Sequence, residues 1–373
     1  MDSIKKLKLL ILLIIQLSCG TTTEQIKNYE TKLKIDSILI KTDTISVFLR
    51  DNLLLSTLTK DGNFLYNFDP DKSSIQRINL KEERIDQEII LEKEGPKGID
   101  DFVLSLNSLN DSLFIISGTN TYSFWNNKGD FLKKVKLDYH FFFNEKLKDT
   151  FLVNGFAYRS HQIFAIIARH QSYINQLMIY SEETDSINIV DIPGIEMIKN
   201  ASIISNFENS SIFHSPNLAL STTIKDILIS HRTYPDIVKL NIDALTISHY
   251  IPESKLYNRI QPIEKVLEVE EDKRLDEFFL ELEKKMNFLP PIWDEQKNKY
   301  YRWGFKLKAE NTDFENPSYN NYIFEMDSNF MIVKEMKLPE ITTRPYRVFL
   351  KENKLYVYKN IKDELMFIRI WLE

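Results

Sequence analysis

Apolar and polar positions fall into short strand-length runs along most of this chain, and the runs end at Asn, Asp, Gly or Lys. That is the pattern of an all-β protein built from hairpins. The clearest unit, "LLSTLTKDGNFLYNFDPDKSSIQRINL" (54–80), reads as strand LLSTL, turn KDGN, strand FLYNFD, turn PDKSS and strand IQRINL. The scheme recurs at 105–137, 155–192, 218–251, 292–338 and 347–373. Repeats of this size with several strands each point to a radial array in which one sheet covers the face of the next. The expected fold is therefore all-β and six-bladed β-propeller-like. A pair of packed sandwiches is the competing arrangement of the same strands. The last unit is short, and "TKLKIDSILI" (31–40) can supply its missing strand and close the ring, which leaves no blade edge unpaired at the seam.

One segment changes period. In "EVEEDKRLDEFFLELEKKMNF", Leu275, Phe278, Phe279, Leu282 and Met286 recur at helical spacing with charges between them. This predicts one amphipathic helical insertion near residues 268–287. Its apolar face is expected to pack on the side or mouth of its own fold. Its place between the fourth and fifth units also makes it a candidate lid or docking element.

The N-terminus has a different character. Lys5, Lys6 and Lys8 precede an aliphatic run from Leu9 to Ile15, the charged head and short apolar centre of an export signal. The run is too short to span a bilayer, which takes ~20 residues. Leu17, Ser18, Cys19 and Gly20 resemble the lipobox of bacterial lipoproteins, with Gln16 and Leu17 standing where that box usually has leucine and a small residue. The resemblance implies that residues 1–18 are a lipoprotein signal peptide and that Cys19 takes a diacylglycerol. Residues 19–29 would then be lipid anchor and tether, and 30–373 the propeller-like domain. Acyl chains contribute roughly 0.8 kcal/mol per buried CH₂, so Cys19 is an anchor and not a catalyst. Gly20 resembles the signals that sort such proteins to the outer membrane, with the periplasmic and surface faces both open.

Composition fits an exported globular domain. Cys19 is the only cysteine, so no internal disulfide is available and the core must carry the fold. With 43% hydrophobic and 12% aromatic residues, the material for that core is present. The net charge is −6, and removal of 1–18 takes away three lysines and one aspartate, leaving the rest more acidic still. Nucleic-acid binding needs a basic stripe, and here lysines alternate with acids, as in "NLKEERIDQEIILEKEGPKGIDD", which reads as solvated edges and turns.

The lipobox, "EGPKGIDDFVLSLNSLNDSLFIISGTNTYSFWNNKGDFLKKVKL" and "LPPIWDEQKNKYYRWGF" together resemble an uncharacterised family of Gram-negative outer-membrane lipoproteins with a six-bladed β-propeller-like body, a domain of unknown function. The resemblance implies an exported, lipid-anchored, all-β protein. Its motifs are structural, and they imply no activity.

Few residues suggest chemistry. His140, His161, His170, His214, His231 and His249 show no two-histidine helical spacing, and no metal or cofactor is expected. "DPDK" (69–72) lacks the glycine and closing glutamate of a calcium loop and reads as a turn. There is no GxSxG elbow, and "EGPKG" has too few glycines for a phosphate loop. Acid pairs such as Asp100–Asp101 and Glu270–Glu271 arise freely among 54 acids. The most suggestive cluster is aromatic, with Trp293, Tyr300, Tyr301, Arg302 and Trp303 as candidate contacts for a sugar ring or a protein partner. Strand alternation sends Tyr301, Trp303 and Phe305 to one face and Tyr300 and Arg302 to the other.

The leading expectation is a non-catalytic binding or scaffolding module, held to the membrane by its lipid and meeting a protein or glycan partner. The alternatives are a propeller enzyme acting on glycans or lactones, and a sugar-capture lipoprotein.

Overall fold

The computed structural model describes residues 33–372, except 43–44, 120, 138–146, 148–149, 170–174, 208–209, 215–217, 224, 260–267, 270–271 and 310–316. Residues 1–32, with the expected signal peptide, Cys19 and the expected tether, therefore lie outside the described residues. So do His140, His170, Glu270 and Glu271.

Six antiparallel sheets follow one another along the chain as a six-bladed β-propeller. Blade 1 holds Ser56–Leu58, Phe64–Asp69, Ser74–Asn79 and Arg84–Ile90, and blade 2 Ser105–Ser108, Leu113–Ser117, Thr121–Asn126 and Phe131–Lys136. Blade 3 holds Thr150–Arg159, Gln162–Arg169, Asn175–Ser181 and Ser186–Asp191, and blade 4 Leu218–Thr222, Asp226–His231, Ile237–Asn241 and Ile247–Tyr250. The first strand of blade 5 is split into Asn287–Phe288 and Ile292–Asp294, followed by Lys299–Leu307, Tyr319–Met326 and Ile332–Leu338. Blade 6 takes Val348–Lys351, Lys354–Ile361 and Glu364–Trp371 from the C-terminus and Ile35–Leu39 from the N-terminus. First strands of successive blades touch one another, so they form the inner ring. One expectation needs correction. Residues 84–90, which read as solvated edge, form the outer strand of blade 1, with Ile85 and Ile89 buried and Arg84 and Ile90 exposed.

The hairpins turn on side chains. Asp69 Oδ1 accepts the amides of Asp71 and Lys72, Asn79 Oδ1 those of Lys81 and Glu82, and Asp294 Oδ1 those of Gln296 and Lys297. In each turn the residue four places after the Asp or Asn, Ser73, Glu83 or Asn298, adopts positive φ and redirects the chain into the next strand. With nine glycines in the whole chain, asparagine and aspartate take over much of the turn chemistry. "DPDK" is such a turn.

The core is a set of layers between blades. Tyr66, Phe68, Phe114 and Trp125 fill the space between blades 1 and 2. Phe164, Leu177, Ile229 and Val238 fill that between blades 3 and 4, and Trp303, Ile323, Leu355 and Val357 that between blades 5 and 6. Further layers between blades 2 and 3, 4 and 5, and 6 and 1 cover the other face of each blade. The seam is closed by Ile35–Leu39, which pairs antiparallel with Glu364–Trp371 from Ile35↔Ile370 to Leu39↔Met366. Asp36 takes a forked pair of bonds from Arg369 across it (2.7 and 2.5 Å).

Two long connections elaborate the ring. The first, between blades 3 and 4, contains a 3₁₀ helix, Ile195–Ala201, and the hairpin Ile203–Phe207/Ser210–His214. The second, between blades 4 and 5, contains Glu268–Val269 and the helix α1, Asp272–Lys284. Both run from an outer strand to the next inner strand, so in an antiparallel meander they leave on the same side as the loops between second and third strands. They meet there as a small third-layer sheet, where Ile204–Ser205 pairs parallel with Glu268–Val269. Phe278 and Leu282 of α1 pack with Ala201, Ile203 and Tyr234, while Phe279 is 42% exposed. We call this element the cap. Among the described residues no helix is long and apolar enough to cross a membrane.

Ring closure is testable at the seam. Ile38 is buried in the layer between blades 6 and 1, so Ile38→Ala is expected to cost about 2–4 kcal/mol in urea denaturation. Asp36→Asn, at a half-exposed ion pair, is expected to cost under about 1 kcal/mol. Equal losses would show that the seam is held by charge and not by packing.

Candidate functional site

The cap roofs the loop between the second and third strands of blade 4, "SHRTYPD" (230–236). This loop is held from below by Arg302 on the second strand of blade 5. Arg302 is 2% exposed, and its guanidinium donates to the carbonyls of His231 (3.0 Å), Tyr234 (3.4 Å), Leu289 (3.2 Å) and Pro235. It lies over the ring of Phe288 at 4.6 Å. Burial pulls its pKa down to about 10, so it is charged at neutral pH. Four carbonyls in place of a carboxylate give a planar, multi-donor cation enough partners to stay buried.

The same loop is tied to α1. The amide of Phe288 donates to Arg232 O (2.6 Å), and Asn287 Nδ2 donates to the carbonyls of Leu282 and Lys285 (both 2.9 Å), capping the end of the helix. Glu283 of α1 bridges Arg232 and Arg344, the latter at 3.1 Å. The helix, the loop and the first strand of blade 5 therefore form one bonded unit.

Between this loop and the turn before the 3₁₀ helix lies a cleft of about 30 Å³, lined by Ile192, Gly194, Ser230, His231, Tyr234 and Asp236 among others. That is room for one or two waters or a single small group. His231 is 6% exposed, and its Nδ1 accepts the amide of Thr233 (3.0 Å). The ring proton therefore sits on Nε2, which is buried and has no protein partner. Asp236 Oδ1 accepts from His249 Nε2 (2.8 Å) and Arg259 (3.0 Å), while its Oδ2 is buried and unpaired. Two residues of the cleft lining thus each carry a buried polar atom without a protein partner, costing about 1–3 kcal/mol apiece. Gly194 makes the close approach possible: its φ is +76° and a Cβ there would meet His249 Cε1 at 2.6 Å.

The aromatic cluster expected as a contact surface is placed inside the molecule. Tyr301 and Trp303 are 2% exposed between blades 5 and 6, and Trp303 Nε1 donates to Asn321 Oδ1 (2.8 Å). Tyr300 and Trp293 face the other way, with Tyr300 stacked on Phe330 at 4.4 Å between blades 4 and 5. Tyr300, Tyr301 and Trp303 are buried and present no open stacking face, while Trp293 is half-buried at the edge of that layer. None of the five lines the cleft, and Arg302 acts on it only through its bonds to the loop. Asp100 accepts from Thr121 Oγ1 (2.8 Å) and faces Lys134 (3.8 Å), a pin within blade 2. Among the described residues no group of three or more His, Cys, Asp or Glu is placed to hold a metal ion.

Comparison with known proteins agrees with this architecture. Residues 28–337 match the model of a family described as "Domain of unknown function (DUF4221)". The chain belongs to the DUF4221 family. A crystal structure of a DUF4221 member from Bacteroides vulgatus superposes with a TM-score of 0.64 at 16% identity, covering 90% of this chain and 96% of that one. A protein from Bacteroides fragilis described as a putative exported protein superposes with a TM-score of 0.53 at 9% identity, covering 91% and 95%. At these identities the likeness speaks for the fold alone. No curated protein matches the chain.

Two outcomes are expected at the cleft of this DUF4221 protein. Arg302→Met orphans several buried carbonyls and is expected to cost about 2–4 kcal/mol in urea denaturation, with faster amide exchange across Arg232–Asp236. A loss under about 1 kcal/mol would mean that water replaces the guanidinium. Burial beside Arg302 and Arg232 pushes the His231 pKa down from 6.5 to about 3. Unfolding then takes up a proton below the unfolded value. Stability is full above about pH 6.5 and falls by about 1.4 kcal/mol per pH unit from this group towards its folded pKa. His231→Asn, which keeps an acceptor for Thr233, is expected to flatten that acid limb of the thermal midpoint.

Proposed function

We propose that this protein is an exported, lipid-anchored binding module that presents the capped side of its propeller to a partner or ligand. The observation that carries the reading is the convergence of two long insertions over one blade, around a cleft lined by His231, Tyr234 and Asp236. The cleft matches a single small group projecting from a larger molecule, because it has room for that group and no more. The rigid ring keeps the loop in place, and the cap supplies the side chains that vary its surface.

Export and anchoring rest on the lysine-headed apolar run and the lipobox-like Cys19. The Bacteroides fragilis protein of like fold, described as a putative exported protein, supports the first of these. The outer membrane is the proposed location, on the strength of Gly20.

Crosslinking and co-purification of the tagged protein from its native membrane tests both halves. Wild type is expected in the membrane fraction with a reproducible partner, and Cys19→Ala is expected to leave that fraction. Phe279→Glu, on the exposed side of α1, is expected to lose the partner while remaining folded and anchored. Membrane retention of Cys19→Ala would remove the anchor, and a partner indifferent to Phe279→Glu would remove the capped face.

A further inference from the structure

The chain enters the propeller on the face opposite the cap. The described residues begin at Leu33, and the carbonyl of Lys34 accepts the amide of Trp371 (3.0 Å) at the foot of the seam. The next residue, Leu372, donates its amide to Asn353 O (3.1 Å) and accepts on its own carbonyl from Lys297 Nζ (2.6 Å). Asn353 and Lys297 belong to the turns that join first to second strands in blades 6 and 5. The cap lies over a loop between second and third strands, which in an antiparallel meander is the other end of a blade. The strand Lys354–Ile361 covers that height, roughly 25 Å.

The entry point has its own chemistry. Trp371 is half-buried, and three cations lie over its ring, Lys34 Nζ at 4.6 Å, Lys354 Nζ at 4.9 Å and the Arg369 guanidinium at 5.8 Å from the centroid. Asp36 bonds to Arg369 and Glu352 pairs with Lys351, so Lys34 and Lys354 have no bonded carboxylate among the described residues. In a chain of net charge −6 this is a local gathering of cations, placed where the N-terminal segment arrives. An indole bordered by Lys and Arg suits a membrane surface, because the ring has an apolar body and a polar edge and the cations meet phosphate. Residues 20–32 join Cys19 to Leu33, and a chain of that length reaches at most about 50 Å, which keeps the entry face within that distance of an anchoring bilayer.

We infer that the entry face rests on the bilayer that holds the anchor, with Trp371 at the level of the headgroups and Lys34, Lys354 and Arg369 against their phosphates. The capped face then points away from the membrane, and its partner is met from the aqueous side. This rests on the lipid-anchored reading above and adds a direction to it.

Energy transfer to headgroup-labelled acceptor lipid tests the direction, with the lipidated protein, its acylation confirmed by mass spectrometry, in vesicles of phosphatidylethanolamine and phosphatidylglycerol. The donor dye is carried by Glu295→Cys, in an exposed turn of the entry face, or by Glu277→Cys, on the exposed side of α1. With Cys19 acylated, the introduced thiol is the one free to label. The two faces lie roughly 25 Å apart, so transfer is expected to be at least about twofold more efficient from position 295 than from 277. Lys34→Glu combined with Lys354→Glu, both on side chains outside the core, is expected to narrow the difference while the protein stays in the membrane fraction. About 1 M salt, which shortens screening to about 3 Å, is expected to do the same. Equal transfer from the two positions, stronger transfer from 277, or a difference indifferent to the charge reversals overturns the inference with the anchor intact. A protein that carries no lipid overturns the anchored reading and the direction with it.

Discussion

The pairing of Ile35–Leu39 with Glu364–Trp371 is the constraint on which the rest of the molecule depends. A propeller blade has hydrophobic side chains on both faces and is stable only when each face meets a neighbour. Five blades here are made from contiguous chain, and only blade 6 draws a strand from the other end. With that strand in place, the layer between blades 6 and 1 forms around Ile38, Leu65, Tyr356 and Phe367. Without it, blade 6 would be left with three strands and the last interblade layer would lose Ile38 and Ile40 from its contacts.

A closed ring gives the cap a rigid base, and a single buried cation transmits that rigidity to the loop beneath it. Arg302 belongs to blade 5 but bonds to three carbonyls of blade 4, so the loop 231–235 cannot shift without breaking an interblade contact. The cap then rests on Tyr234 of the same loop and is pinned at its far end by Glu283. The unpaired atoms of His231 and Asp236 are thereby held buried where flexible side chains would otherwise turn to solvent. Rigidity of this kind lowers the entropic cost of binding, since the loop is ordered before a ligand arrives.

The elements of the fold were legible in the sequence because they depend on local chemistry. Strand alternation, Asx turns such as those at Asp69 and Asp294, and the helical period through Phe278 and Leu282 all act over a few residues. The strand 84–90 was harder to read, because an outer strand half in water alternates charge with apolar side chains and looks like a solvated turn. The cleft was not legible. His231, Asp236 and His249 carry no spacing of a known site, and the only signal was the polar stretch "SHRTYPD" between two apolar strands. The aromatic cluster was ambiguous for a different reason. Large rings close together in sequence suit a binding platform and an interblade core equally well, and burial alone separates the two.

The sequence by itself determined where strands, turns and the helix begin, how many blades there are, and which N-terminal strand closes them, since each of these follows from periodicity, turn chemistry and the avoidance of open edges. Only the tertiary structure decided which side chains meet. Whether Trp303 is core or surface, which carbonyls Arg302 holds, and that Lys34 and Lys354 meet over the ring of Trp371 depend on the packing of the blades and the closure of their ring. That packing joins residues distant in the chain, and no local pattern records it.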